Sequence, residues 1–161
     1  MTQTVRKTTH PQMSELWRLH QSGDFLDGYA VTSSASVAEA AETAFTMPGW
    51  ANGLMRLRNA LVKPLGLKTG EDTQASDAIF PIHLDTETER VMGTDDNHLN
   101  FRISVLKADG NIHIATWVHA NNIWGRIYLA VVMPFHILLS RNSLARVARV
   151  HPPLDEAPVD R

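Results

Sequence analysis

The chain of 161 residues contains no cysteine. Disulfides, thiolate nucleophiles and thiolate metal ligands are excluded together, and the expectation is a reducing, cytoplasmic setting. An excess of one charge is missing too. Fifteen Lys and Arg stand against 17 Asp and Glu, a net charge of −2, so no global field draws the chain to nucleic acid or acidic lipid. Its basic residues are scattered rather than interleaved with aromatics, which argues against a nucleic-acid partner. Met1 to Pro11 is polar and basic with no apolar stretch behind it, so no secretory signal is read. The longest apolar run, Ile127 to Leu139, is broken by Pro134 and His136 and reads as too short for membrane insertion. Also absent are a Gly-x-Ser-x-Gly elbow, a Walker loop, a dinucleotide glycine motif and a His-Glu-x-x-His pair. No catalytic set is visible, and neither a cofactor nor a resident metal is expected.

What the chain does hold is apolar material for one core. Hydrophobic residues are 43% and charged residues 20%, which at this length fits a single domain. Its expected bounds are residues 14–150, between a flexible N-terminal tail, 1–13, and a flexible C-terminal tail, 151–161. Leu16, Trp17 and Leu19 suggest a short helix or turn, and Tyr29 to Thr32 a first strand. Ser36-Val37-Ala38-Glu39 is a capping box, with Val37, Ala40, Ala41, Ala44 and Phe45 marking one helical face behind it. Pro48-Gly49 breaks that helix. A second short helix follows, with Trp50, Leu54, Leu57 and Leu61 as its apolar stripe, ended by Pro64 and Gly66. Thr69 to Asp77 is a polar loop.

The period then changes from 3.6 to 2. Leu99, Phe101, Ile103 and Val105 alternate with polar residues, as do Ile112, Ile114, Thr116 and Val118 after Asp109-Gly110, a strong two-residue hairpin signal. That turn sets Ala108 against Asn111, Phe101 against Val118, Ile103 against Thr116, and Arg102 against Trp117. Asn121-Asn122 reads as a second tight turn into a strand through Ile127, Leu129 and Val131, which would bring Arg126 opposite Trp117. Upstream, Ile79 to His83 and Glu87 to Met92 read as two more strands, with Thr94 to Asn97 as the turn that follows them. Their register is open: one choice sets Glu89 opposite Arg102, a slip puts it on the face of Phe101. Pro134 is placed at the first position of a C-terminal helix. Arg146 and Arg149 sit near its end, and His151-Pro152-Pro153 stops it.

Five stretches resemble a known family in their order along the chain. They are Asp24-Phe25-Leu26-Asp27; Leu57-Arg58-Asn59-Ala60-Leu61-Val62 with Gly66-Leu67; Asp95-Asp96-Asn97-His98-Leu99-Asn100-Phe101-Arg102; Gly125-Arg126-Ile127-Tyr128; and Pro134-Phe135-His136. Over residues 14 to 147 the chain resembles the bacterial domain-of-unknown-function family 2867, and its element order resembles the helix-grip fold of START and polyketide-cyclase-like proteins. The resemblance implies an α+β, helix-grip-like fold. A curved antiparallel meander would pack against a C-terminal helix, with two short helices after the first strand. It implies no activity.

Several side chains are candidates for chemistry, each with a bland alternative. Asp96, His98 and His119 could hold a metal, or could be turn and sheet-surface residues. Arg102, Trp117 and Arg126 could bind an anion, or could form a cation–π ladder with Glu87 and Glu89 as counter-ions. His136, Tyr128 and Thr116 could face a pocket, or could be packed core and sheet residues. Arg102, Thr116, Arg126, Tyr128 and His136 are thus the expected ligand-binding set. The expected function is binding of a small apolar or amphipathic molecule in a chamber walled by Phe101, Ile103, Ile114 and Leu129. The alternatives are a cyclase- or hydrolase-type enzyme using that chamber, with His136 or an inward carboxylate as base, and an interaction module. In the last, Trp117 and Trp124 would dock a protein or a second copy in a homodimer.

Overall fold

The computed structural model describes residues 4–46, 63–65 and 80–154. Within them one curved antiparallel sheet holds six strands: β1 (Arg6–Lys7), β2 (Phe25–Thr32), β3 (Ile82–Asp85), β4 (Glu89–Asp95), β5 (Leu99–Ala108) and β6 (Asn111–Ala120). Their spatial order is β1-β2-β6-β5-β4-β3. The described residues also include three α-helices, α1 (Leu16–Leu19), α2 (Val37–Phe45) and α3 (Ile123–Val150), and a 3-10 turn at Lys63–Leu65. The fold is α+β, as the sequence implies. The second short helix expected between Trp50 and Leu61, the break at Pro48-Gly49 and the loop at 69–77 lie outside the described residues.

The β5–β6 hairpin follows from its turn. Asp109 and Gly110 have φ of 49° and 71°, the positive values that a two-residue hairpin needs to match strand twist. Ala108 pairs with Asn111, Phe101 with Val118, Ile103 with Thr116 and Arg102 with Trp117, the register read from the sequence. β4 takes neither expected register: Glu89 lies opposite Leu106, on the face of Arg102 rather than that of Phe101, and Arg102 lies opposite Gly93. The sheet closes by pairing β2 with β6, Phe25 opposite Val118 through Thr32 opposite Asn111.

Each face of the sheet is covered differently. On one face Tyr29, Val31, Val105, Ile112 and Ile114 bury against α2 and the last turns of α3, where Leu144 and Val147 are fully buried. The Ser36 capping box fixes the start of α2: its hydroxyl accepts from the Glu39 amide, and the Glu39 carboxylate accepts from the Ser36 amide. On the other face Leu16 of α1 packs with Val91, Ala115 and Trp117. The residues read as an N-terminal tail therefore contribute structure: Arg6 and Lys7 form β1 and His10 is buried. At the other end the His151 carbonyl accepts from the Ser33 hydroxyl and the Ser34 amide.

The main departure from expectation is α3. Asn121-Asn122 does not turn into another strand; Asn122 is an N-cap whose side chain accepts from the Gly125 amide at 3.1 Å. The 28-residue helix then runs continuously through Pro134, which lies in its interior rather than at its first turn. Two physical details fix this start. A Cβ on Gly125 would run into the His98 carbonyl oxygen, so only glycine lets the helix begin against the β4–β5 turn. Trp117 finds its partner on β2 instead, opposite Leu26. An 18-residue window of α3 has a mean hydropathy of 1.5 with 6% of it buried, so by length and composition the helix could cross a membrane. The apolar run is not cut short at Pro134 and His136.

Candidate functional site

Along β2, residues 25, 27, 29 and 31 face α3, and one of them is a carboxylate. Asp27 is 9% exposed. Its Oδ1 accepts from the Thr116 amide at 3.1 Å, and its Oδ2 lies 2.8 Å from His136 Nε2 of α3. With the carboxylate as acceptor, the imidazole donates from Nε2, and Nδ1 is the ring nitrogen left for another partner. The edge of Phe25 meets the His136 ring, with centroids 6.2 Å apart. Tyr29, one step further along the strand, is buried; burial and the Asp27 charge push its phenol up, with Arg141 opposing.

The layer around this pair is apolar and partly open. Phe101 and Ile103 are half-buried, Phe101 meeting Phe80 edge-on at 5.0 Å. Leu129 and Val132 lie seven and four residues before His136, on its helical face, and are likewise half-buried. Between Ile123 and Ser143 the only buried residue of α3 is Gly125. Two open clefts of about 510 and 600 Å³ are present, one running from residues 7–10 and Trp17 to Leu26–Gly28 of β2, so that Asp27 also lines it, the other between the start of α2 and the β3–β4 turn.

Two further polar clusters occupy the opposite sheet face. Asp24, 4% exposed at its side chain, accepts from Trp117 Nε1 at 2.9 Å and from the Gln21 amide at 2.9 Å. His119 Nδ1 lies 2.6 Å from the same carboxylate, and its ring stacks on Trp117. Burial pushes the Asp24 carboxyl up, but the Gln21 amide, His119 and Trp117 together outweigh it and hold it below the usual range. Deeper in, Glu89 Oε1 accepts from the Ser14 and Ser104 hydroxyls and Oε2 from the Glu15 amide. Ser104 is fully buried and spends its proton on Glu89, so its oxygen accepts from His10 Nε2 at 3.1 Å.

Of the expected set, the structure brings together Thr116 and His136, both at Asp27. Arg102 lies on the opposite face and pairs with Asp95 at 2.7 Å, not with Glu87 or Glu89. The Arg102 hydrogen bond outweighs burial and keeps the Asp95 carboxyl low. Arg126 and Tyr128 belong to the first turns of α3 rather than to a strand, so the ladder Arg102–Trp117–Arg126 does not form; Arg126 is exposed and Tyr128 half-buried. His98 bonds Asn122, Asp96 bonds the Asn97 amide and His119 bonds Asp24, so the three do not converge. Ile114 belongs to the filled core, and Leu129 is on the helix. Sequence reasoning gives no site role to Asp27, Asp24 or His10, and takes Glu89 only as a counter-ion, whereas its carboxylate is held by Ser14, Glu15 and Ser104. Its one available signal was a carboxylate at Asp27 inside an otherwise apolar strand, Phe25 to Val31.

A protein-family model matches residues 19–143, that of "Protein of unknown function (DUF2867)". No curated protein and no solved structure matches the chain.

Proposed function

The chain belongs to the DUF2867 family, and since membership carries no activity, we propose from the geometry that it binds a small amphipathic molecule between the sheet and α3. The observation that carries this reading is the Asp27–His136 pair, a polar anchor at 2.8 Å inside an apolar layer that the middle of α3 only half closes. A ligand would set a hydroxyl or amide against His136 Nδ1 and lay its apolar body along Phe25, Phe101 and Leu129. The long helix over an antiparallel sheet supports taking the architecture as helix-grip-like.

The test is thermal stabilisation by anilinonaphthalene sulfonate and by medium-chain fatty acids and alcohols. A bound probe at a hundredfold excess over its Kd stabilises by about 2.7 kcal/mol. His136→Gln keeps a donor for Asp27 and removes the ring nitrogen that faces the ligand, so it weakens binding without unfolding the domain. Equal stabilisation of both proteins, or none of either, overturns the reading.

A catalytic reading has one observation of its own. An imidazole oriented by a buried carboxylate is the arrangement of a general base. It predicts exchange of the α-proton of an enolisable ketone for deuterium, lost in His136→Gln. Binding without exchange removes catalysis and leaves the binding proposal standing.

A further inference from the structure

A helix that is apolar all round is normally buried all round, and α3 is not. Ile123, Ile127, Ala130, Pro134, Ile137 and Leu138 fall within a narrow arc of the helical wheel. All six are exposed, Ile123 at 60% and Leu138 at 51%, with Trp124 at 46% on the flank of the arc. The stripe is about 22 Å long at the rise of an α-helix. A single exposed isoleucine needs no explanation, but a continuous stripe of this length marks an interaction surface.

Charge identifies the occupant. The 28 residues of α3 include four arginines, Arg126, Arg141, Arg146 and Arg149, and neither aspartate nor glutamate. Arg146 is spent on the Thr43 carbonyl and Asn142. Arg126, Arg141 and Arg149 are exposed and form no ion pair among the described residues. Two copies meeting through this face would bring cations against cations with no carboxylate on either helix to offset them. An apolar stripe whose only charged neighbours on the helix are arginines, with an indole on its flank, matches instead an anionic lipid headgroup layer with acyl chains beneath it.

We propose that the outer face of α3 docks in the plane of an anionic membrane surface. The helix lies on the bilayer rather than crossing it, because its other face holds Asp27 through His136 and its last turns are buried against α2 and the sheet. The proposal stands apart from the ligand reading, since it uses the opposite side of the same helix.

The experiment is co-sedimentation of the full chain with large vesicles of phosphatidylcholine alone or mixed with phosphatidylglycerol. Binding is expected to the mixed vesicles, weakened by salt and accompanied by a blue shift of tryptophan emission. Arg126→Glu with Arg141→Glu should lower partitioning at least about tenfold, as expected for cations near a charged surface. Ile123→Glu with Leu138→Glu, at the two ends of the exposed stripe, should abolish binding while leaving the melting temperature unchanged. Three results would each overturn the proposal: no binding to mixed vesicles, equal binding to neutral vesicles, or a dimer by sedimentation that the Ile123 and Leu138 pair of changes dissociates.

Discussion

The sharpest consequence of the buried polar network is a dependence of stability on pH. His10 is 3% exposed, and its ring is held by donation to Ser104. Burial and the adjacent His113 ring push its pKa down from 6.5 to about 4, against a smaller opposing pull from Asp27. The unfolded chain therefore binds a proton at His10 between these two values and the folded chain does not. Stability from this residue is complete above the unfolded pKa of 6.5, falls as pH drops, and is lost below about 4. A shift of this size is about 3 kcal/mol in all, of which roughly 2.5 kcal/mol is gone by about pH 4.5. His10→Gln keeps a donor for Ser104 and does not titrate. Urea unfolding of both proteins at about pH 7 and pH 4.5 gives the two losses. His113 and the carboxylates titrate in both, so the difference between losses belongs to His10. The wild type should lose about 2.5 kcal/mol more than the variant. Equal losses would refute the burial argument and the proton assignment together.

Gly125→Ala should cost about 3 kcal/mol or more, since its Cβ would enter the His98 carbonyl; a melting temperature within a degree or so of wild type would show that α3 starts elsewhere. Asn122→Ala removes the α3 cap and should cost about 1 kcal/mol by urea unfolding, whereas Asn122→Asp should cost little. Phe101→Asp should strongly destabilise the domain by placing a carboxylate between Phe80 and Val118. Asn100→Asp, on the other face, should shift the thermal midpoint far less, and equal midpoints would refute the observed register.

The elements legible in the sequence were those written locally. Asp109-Gly110 and the alternation on either side of it fix β5 and β6 without reference to anything distant, and the Ser36–Glu39 box fixes α2 in four residues. α3 was misread because apolar residues occupy both of its faces. Ile127, Leu129 and Val131 then satisfy a period of 2 as well as any helical spacing does, and length is the better arbiter. Its start was marked by Asn122 and Gly125, one capping and one approaching His98, but the glycine gains its meaning only from the β4–β5 turn. The site was less legible than the fold. Asp27 meets His136 across 109 residues of chain, and Asp24 meets His119 across 95. Nothing near Asp24 or Asp27 in sequence names these partners. Residues 1–13 read as a tail because they are polar, yet polarity is how they dock, through the β1 ladder and through His10 to Ser104.

The pairing of β2 with β6 has a consequence for synthesis. Thr32 must wait for Asn111 and Phe25 for Val118, whereas each strand from β3 to β6 finds a partner in its immediate successor or predecessor. At about 5–20 residues per second on the ribosome, β2 leaves the exit tunnel several seconds or more before the strand that completes it. During that interval Phe25, Tyr29 and Val31 present an apolar edge with open backbone groups, a template for the wrong chain. The nascent protein is thus most exposed to mispairing through its first long strand, and a chaperone acting on this chain would find its target there.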